Sequence, residues 1–340
     1  MANQKNQAGC AKDDVLACRK GKIGGEAVLE GIMMKAGGTY SIALRRESDH
    51  RIRISDHKYT SLRDRYRLLR LPIVRGVVNL VESLLLSYKV LGISAEEYGL
   101  EEEAEPGRFE RWLERRLGQN LVNIVMIISA VLGIALGVGL FFFVPMLVTK
   151  GLDHLLGGTL GWFKNVIEGI IRIGIFVCYV WLVSFMKDIR RTFQYHGAEH
   201  KTIFCYEQGL ELTVENVKKQ SRFHPRCGTS FIFVILILSV IVASFITWDS
   251  LLVRLCIKLP MLPLVVGVGF EFIMYAGKHD NLFTKILSAP GLWMQRMTTK
   301  EPDDAQIEIA IAAVKYTLKD EYPDFRVEEV EGEDYCLVAE

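Results

Sequence analysis

The longest uncharged stretch of this chain limits the folds that the chain can adopt. About 28 residues from Leu121 to Val148 contain no Asp, Glu, Lys or Arg. A helix of that length exceeds the roughly 30 Å hydrocarbon core of a bilayer. Three further apolar segments follow, at about 166–186, 231–248 and 259–276. The pattern predicts an α-helical integral membrane protein with about four transmembrane helices.

The composition agrees with a chain that separates apolar spans from charged segments. Half of the residues are apolar and 24% are charged, yet the mean hydropathy is positive at +0.21. The net charge of +1 gives no reason to expect a specific nucleic-acid partner. The N-terminus has no apolar run of the kind that signal peptides carry, and the seven scattered cysteines favour reduced thiols facing the cytosol.

The segments around the spans predict a small β domain, an interfacial or re-entrant helix and a C-terminal amphipathic helix in the cytoplasm. The predicted divisions are a disordered tail at 1–20, a small β-rich cytoplasmic domain at 21–70, an interfacial helix with an acidic and charged linker at 71–118, transmembrane helices 1 and 2 at 119–187, a cytoplasmic His/Cys loop at 188–229, transmembrane helices 3 and 4 at 230–277, and a cytoplasmic helical segment at 278–340.

The N-terminal third carries a strand signal and then an ambiguous apolar helix. Alternating residues at 40–44 and 51–54, separated by a polar turn at 47–50, predict a β-hairpin. Residues 72–95 are apolar at helical spacing but include Arg75 and Glu82. The segment is either an interfacial or re-entrant helix, which we favour, or a span whose polar stripe faces protein.

Two other charged features need partners within the fold. Glu271 lies inside the fourth predicted span, where we expect it to pair with Arg75 or the metal-binding layer, unless it lies close to the interface. Near the C-terminus, Pro302 starts an amphipathic helix whose apolar stripe must dock, and we expect it to dock on the cytoplasmic part of the protein. The acidic end from Glu321 is expected to be solvated.

The distribution of Lys and Arg around the spans predicts their orientation. Cationic residues concentrate on one side, whereas the two opposite loops hold only Lys150, Lys164, Arg254 and Lys258. The positive-inside rule then places both termini and residues 188–229 in the cytoplasm. Nine arginines between residues 45 and 75 favour an anionic bilayer surface as their partner. The residues on the positive side are Arg108, Arg111, Arg115, Arg116, Lys187, Arg190, Arg191, Arg222, Arg226 and Lys278.

A compact group of metal-ligating residue types lies between the second and third spans. His196 and His200 are four residues apart, so a helix would place both imidazoles on one face. His224 and Cys227 follow as a second pair. Three imidazoles and a thiolate suit a borderline-soft ion, so we expect Zn2+ as the metal and Fe2+ as the second choice. Glu199 lies next to His200 and is the candidate catalytic base.

The same residues allow other interpretations. The histidines could form a hydrogen-bonded network that ties the loop together without a metal. A site closed by all four His and Cys ligands would be structural, whereas three ligands with Glu199 free would suit metal-assisted hydrolysis. Because Glu199 directly precedes the second histidine, the motif is not HExxH. Cys205 is either a further ligand or, as we expect, an apolar helix-face cysteine. Glu26 and Glu30 are either groups supporting the cluster or surface carboxylates.

Several motifs resemble those of a known family. GGEAVLEGIMMK covers 24–35, YHGAEHKTI covers 195–203, RFHPRCGTSF covers 222–231 and APGLWMQRMTTKEPDD covers 289–304. With Arg75-Gly76, these segments are similar to the YqhQ-like bacterial membrane proteins, whose domain of unknown function is labelled a predicted metal-dependent enzyme. The resemblance implies a multi-pass protein of the bacterial plasma membrane, with the His and Cys positions retained here.

Two functional hypotheses follow from these features. The favoured one is a metal-dependent membrane enzyme, a hydrolase that acts on a lipid or peptide at the cytoplasmic interface. The alternative is a non-enzymatic membrane scaffold, or a biogenesis or transport factor with membrane-protein partners, in which the metal fastens the second and third spans together. The lipid bilayer is a partner in both.

Overall fold

The computed structural model describes residues 18–46, 51–97, 121–161, 163–245, 251–277, 279, 281–330 and 333–336. The predicted tail up to residue 17, the hairpin turn at 47–50, the charged linker at 98–120 and Lys278 lie outside these residues. The strands are β1 (Ile23–Val28), β2 (Gly31–Ala36), β3 (Thr39–Arg45), β4 (Ile52–Lys58), β5 (Val327–Val330) and β6 (Glu333–Cys336).

The helices range from four to 26 residues in length. They are α1 (Leu62–Arg65), α2 (Val74–Glu97), α3 (Leu121–Val138), α4 (Val144–Leu155), α5 (Phe163–Val183), α6 (Lys187–Glu207), α7 (Val214–Lys218), α8 (Gly228–Ser244), α9 (Leu251–Ala276), α10 (Leu282–Thr298) and α11 (Asp304–Thr317). A 3-10 turn covers Arg67–Arg70, and a π-helical turn at Gly139–Phe143 joins α3 to α4.

The β-strands form one antiparallel sheet with the order β1-β2-β3-β4-β6-β5. The predicted hairpin is confirmed, because β3 pairs with β4 and Ala43 lies opposite Ile54. Alternation along the strands supplies two buried faces, since Ile32 and Met34 enter one apolar cluster and Met33 enters another. The sequence analysis missed β5 and β6, which lengthen the sheet in the region expected to be a solvated acidic end.

Helix α11 packs between the sheet and α6. Asp303 and Gln306 form a capping box that starts α11. The helix buries residues on most of its circumference, because β2 and β3 cover one side and α6 covers another. The predicted docking of this helix on the protein's own layer is therefore confirmed. Three separate stretches of sequence, 21–70, 188–229 and 278–340, contribute to this one core.

Helix α2 covers the opposite face of the sheet and also contacts α9. Its C-terminal half places Val90 in the second apolar cluster of the sheet. Its N-terminal half packs on α9, where a Cβ added to Gly76 would lie 3.0 Å from the Cα of Gly267. The guanidinium of Arg75 donates to the carboxylate of Glu271, with Nε 2.6 Å from Oε1. The expected pairing of Glu271 with Arg75 is thus confirmed.

Apolar helices make up the remaining layer. Within the described residues, three segments are long and apolar enough to cross a membrane by length and composition: 74–95, 131–155 and 163–183. Shorter apolar helical segments cover 228–244 and 260–276. Contacts join α4 to α5, α5 to α8 and α8 to α9, so these helices form one bundle. The protein is mostly helical and carries a small antiparallel sheet, as the sequence predicts.

Candidate metal centre

Two imidazoles and a thiol meet at the junction of α6 and α8. His196 and His200 lie one turn apart on α6, with ring centroids separated by 4.4 Å. Cys227 is the N-cap residue of α8, and its Sγ lies 3.2 Å from Nε2 of His196. One ligand atom from each of the three residues lies within 4.8 Å of the other two. The spacing of four on α6 therefore produces the juxtaposition that the sequence predicts.

Backbone carbonyls fix the orientation of both imidazoles. Nδ1 of His196 lies 2.9 Å from the carbonyl oxygen of Thr298, and Nδ1 of His200 lies 2.6 Å from that of Arg222. Because a carbonyl oxygen only accepts, each Nδ1 carries the hydrogen and donates it. In a neutral ring this leaves the lone pair on Nε2, which is how metal-bound histidines are commonly held.

The electrostatics of the cluster favour a thiolate. Burial alone would raise the pKa of Cys227, but the two neighbouring imidazoles hold it well below the ordinary value of a thiol. Burial would likewise lower the pKa of His196, but the Cys227 thiolate, helped by Glu199, raises it to about 9. The thiolate is the form of cysteine that binds metal ions. A metal ion would displace the proton from Nε2 of His196 and take over the stabilisation of this thiolate.

Glu199 lies between the histidines and the first strand of the sheet. A Cβ added to Gly25 of β1 would lie 2.9 Å from Cγ of Glu199, so the side chain runs against the bare backbone of that glycine. Burial raises the pKa of Glu199, while the imidazoles of His196 and His200 lower it and the nearby Glu26 raises it. Glu199 is not one of the three clustered ligands, which leaves its carboxylate available for proton transfer.

His224 lies beside the cluster rather than in it. Its ring centroid is 5.5 Å from that of His200, but its Nε2 lies 3.8 Å from Oε2 of Glu207. Glu207 also accepts hydrogen bonds from the Gly21 amide and the Arg226 guanidinium. The structure therefore does not bring the fourth predicted ligand to the other three. Glu207 could have been suspected from the sequence, because it follows His200 by two helical turns.

A second residue that the sequence analysis missed, Gln295, fixes the loop that carries Cys227. Its Oε1 accepts from the backbone N–H of His224 at 2.7 Å. Its Nε2 donates to the His224 carbonyl and to the Ser230 hydroxyl, each at 2.7 Å. The buried amide of α10 thus holds the start of α8 in position. Its place in a dense polar run, 295–304, was the only sign of it in the sequence.

The remaining candidates have other partners. Glu30 pairs with Arg191 and accepts from the Tyr195 hydroxyl at 3.1 Å. Glu26 accepts from the Ser87 hydroxyl at 2.7 Å, and burial raises its pKa. Cys205 is buried and its thiol donates to the Glu211 carbonyl, which agrees with an inert apolar-face cysteine because burial raises its pKa to about 11.

Fold and site together define a mostly helical protein with membrane-length apolar helices, a small antiparallel sheet and a His/Cys cluster between them. The chain belongs to the family described as protein of unknown function (DUF1385), which matches residues 71–320. It is 34% identical over 297 residues to the uncharacterized protein YqhQ of Bacillus subtilis (strain 168), covering 87% of this chain and 92% of that protein. No solved structure matches the chain.

Proposed function

We propose that this protein is a metal-dependent membrane hydrolase that acts at the cytoplasmic face of the bacterial plasma membrane. Zn2+ is the expected ion, with Fe2+ as the second choice, and a lipid or peptide is the expected substrate. The observation that carries the proposal is the cluster of His196, His200 and Cys227, whose ligand atoms lie within 4.8 Å of one another. His200 and Cys227 are buried, and His196 is partly buried.

The donor set suits a catalytic rather than a structural zinc ion. Two imidazole nitrogens and one thiolate leave the fourth tetrahedral position open, and three protein ligands are typical of catalytic sites. An ion there would supply the Lewis acidity that activates water near neutral pH. Glu199 would accept the proton that the attacking water loses and return it to the leaving group. The backbone carbonyls of Thr298 and Arg222 would hold the imidazoles in place.

His224 supports the alternative function. Its ring stands next to that of His200, and its buried Nε2 has no hydrogen-bond partner within the described part of the chain. A rotation of this side chain toward the cluster would give a closed His3Cys site, which is typical of structural zinc. The protein would then be a scaffold, or a membrane-protein biogenesis or transport factor, whose metal joins α6 to α8.

Metal analysis of the detergent-purified protein tests whether an ion binds. We expect close to one metal ion per chain in the wild type and in Glu199→Gln, and almost none in His200→Ala. Cys205→Ser, which removes a buried thiol outside the cluster, is the matched control and should keep its metal. A wild-type protein without metal would remove the basis of both functions.

Cobalt substitution separates the two functions. If the fourth position is open, acetohydroxamate should change the visible spectrum of the Co2+ protein, and His224→Gln should still bind the ion. If acetohydroxamate leaves the visible spectrum unchanged and His224→Gln loses the ion, these results would contradict a hydrolase and favour the scaffold.

The core shared by the sheet and α6 supports a topology with four membrane crossings and with α2 at the membrane interface. The sheet and α6 share one core, which supports placing residues 58 and 187 on the same side of a membrane with an even number of crossings between them. The segments 131–155 and 163–183 are the most hydropathic candidates and supply two. A third crossing by α2 would break this parity. Packing of Val90 against the sheet also supports an interfacial or re-entrant α2.

Parity also limits the number of membrane crossings in the second half of the chain. Helices α8 and α9 lie between α6 and α11, which share a core, so both cross or neither does. Their ends meet, because a Cβ added to Gly277 would lie 2.9 Å from Cδ of Arg226. Together with the Lys and Arg distribution, this arrangement supports a multi-pass protein whose termini and metal centre face the cytoplasm.

A further inference from the structure

A cavity of about 340 Å³ lies within the bundle of apolar helices, away from the sheet. Residues of the π-helical turn, α5, α8 and α9 line it. Its volume lies in the usual range of ligand sites, about 300–1,000 Å³. On α8 the lining residues recur every three to four positions from Ile232 to Ala243, so the cavity follows one face of that helix for about 16 Å. An elongated ligand fits this extent along α8.

The wall of the cavity is apolar apart from two residues whose polar groups have protein partners. The Ser239 hydroxyl donates to the Leu236 carbonyl at 2.7 Å. The Arg172 guanidinium donates to Glu168 at 2.9 Å and to the Phe141 carbonyl at 2.8 Å. Because these groups already have partners, the site offers a ligand contact with hydrocarbon and aromatic surface. A polar or charged ligand would be desolvated there without compensation.

The π-helical turn at Gly139–Phe143 shapes one side of the cavity. A π-turn inserts one extra residue into a helix, and such turns are frequent at functional sites. Here the turn places Phe141 and Phe142 on the cavity wall. Arg172 reaches from α5 to bond the Phe141 carbonyl and lies 5.1 Å over the ring of Phe142. The turn is thus held by a specific contact from the facing helix.

We propose that this cavity binds one long alkyl chain of a membrane phospholipid. The occupant follows from the position of the site, because two segments of membrane length, 131–155 and 163–183, and two shorter apolar helical segments, 228–244 and 260–276, surround it, and lipid chains are the medium between such helices in a bilayer. The proposal rests on the membrane crossings but does not depend on the metal centre. Ser230 and Phe233 lie on the face of α8 that packs against α10, next to the metal centre. The residues of α8 that line the cavity lie on a different face, so the cavity and the metal centre are separate sites.

Photolabelling of the full protein in phosphatidylcholine nanodiscs tests the site. The probe is a phosphatidylcholine whose acyl chain carries a diazirine near its end, and labelled peptides are identified by mass spectrometry. We expect labelling within 232–243 and 261–265, and a drop of at least fivefold in Ala243→Phe, which fills the cavity. Ile241→Phe is the matched control, because Ile241 is 51% exposed on the same helix and its replacement should leave the labelling unchanged.

Three outcomes decide the proposal. Equal labelling in Ala243→Phe and the wild type, or labelling in the wild type that spares the buried lining residues Ala243 and Val265, would overturn it. If Ala243→Phe does not fold, Ser239→Leu fills the same space with a smaller change and takes its place. Native mass spectrometry of the purified protein identifies the retained molecule: a phospholipid supports the proposal, whereas only free fatty acid or no retained lipid contradicts it.

Discussion

Glu199 can lie beside the two histidines because Gly25 carries no side chain at that point of β1. A Cβ there would lie 2.9 Å from Cγ of Glu199 and 2.8 Å from Sδ of Met34. Gly197 has a similar role on the other side, where a Cβ would collide with the Lys300 carbonyl. At the scale of single residues, the candidate centre therefore depends on two close backbone approaches as much as on its ligands.

Gly25→Ala should destabilise the protein and displace Glu199. The added methyl group has no room, and overpacking of this kind typically costs about 1–3 kcal/mol. Thermal unfolding in detergent should show a lower midpoint, and the Co2+ protein should bind acetohydroxamate with altered affinity. Gly24→Ala is the matched control, because a Cβ at Gly24 meets no atom within 4 Å. Equal unfolding midpoints and acetohydroxamate affinities in the two variants would show that the position of Glu199 does not depend on the missing side chain at Gly25.

Glu207 should make stability depend on pH in the acid range. Burial alone would raise its pKa, but the nearby His224 imidazole and the hydrogen bonds from the Gly21 amide and the Arg226 guanidinium lower it from 4.5 to about 2. A depressed carboxylate pKa stabilises the fold above the ordinary value, and this stabilisation is lost as the pH falls from about 4.5 to about 2. Its full contribution near neutral pH is on the order of 3 kcal/mol.

The pH-dependent stabilisation by Glu207 is checked by measuring the unfolding midpoints of Glu207→Gln and the wild type at pH 7 and pH 3. The variant should be clearly less stable at pH 7, and the difference should shrink at pH 3. Glu308→Gln removes a carboxylate that is 43% exposed and should change the midpoint little at either pH. A difference of the same size at pH 7 and pH 3 would argue against the depressed pKa.

At the scale of elements, the sequence predicted those that local patterns determine and missed those that depend on pairing between distant residues. The β3–β4 hairpin followed from alternation, and the start of α11 followed from Pro302 and its acidic neighbours, because both signals are local. Strands β5 and β6 are four residues long and acidic, and β6 is held by pairing with β4 far away in sequence. Similarly, a helical spacing brings His196 and His200 together, whereas the rotation of His224 toward Glu207 depends on tertiary contacts.

Helix α2 illustrates how an element can satisfy two environments. Its face toward the sheet buries Val90, whereas Leu84, Leu85 and Tyr88 on the opposite face are 61–70% exposed. The turn that precedes it is tied to the helix, because Glu82 accepts from the hydroxyls of Tyr59 and Ser61. This tether presents a run of exposed leucines and arginines beside the apolar face, which suits the surface of a bilayer.

Arg65→Gln/Arg67→Gln should weaken the binding of anionic lipid. Both arginines are exposed, and each contributes about 1 kcal/mol near an anionic surface, so phosphatidylglycerol affinity should fall more than tenfold. Native mass spectrometry after release from mixed phosphatidylcholine and phosphatidylglycerol nanodiscs counts the retained anionic lipid. Lys20→Gln/Lys219→Gln removes the same charge from exposed positions outside residues 45–75 and should have little effect. An equal loss in both double variants would indicate net charge rather than this surface.

At the scale of the whole molecule, one core joins segments that the apolar helices separate. β1–β4, α6 and α11 pack together although apolar helices intervene twice along the chain. Under the proposed membrane topology, each group of intervening helices crosses an even number of times, so that this core can form on one side. Hydropathy alone cannot supply that constraint, because 74–95 meets the same length and composition criteria as the two stronger spans.

Reporter fusions in a bacterial host test the resulting topology. Green fluorescent protein should fluoresce when fused after Glu97, after Gly209 or at the C-terminus, because all three points are predicted to be cytoplasmic. Alkaline phosphatase should be active only after Gly158, in the loop between α4 and α5. The Glu97 fusion is decisive for α2: phosphatase activity there, with a cytoplasmic N-terminus, would mean that α2 crosses the membrane. The sheet and α6 would then lie on opposite sides, and the shared core of β1–β4, α6 and α11 could not exist.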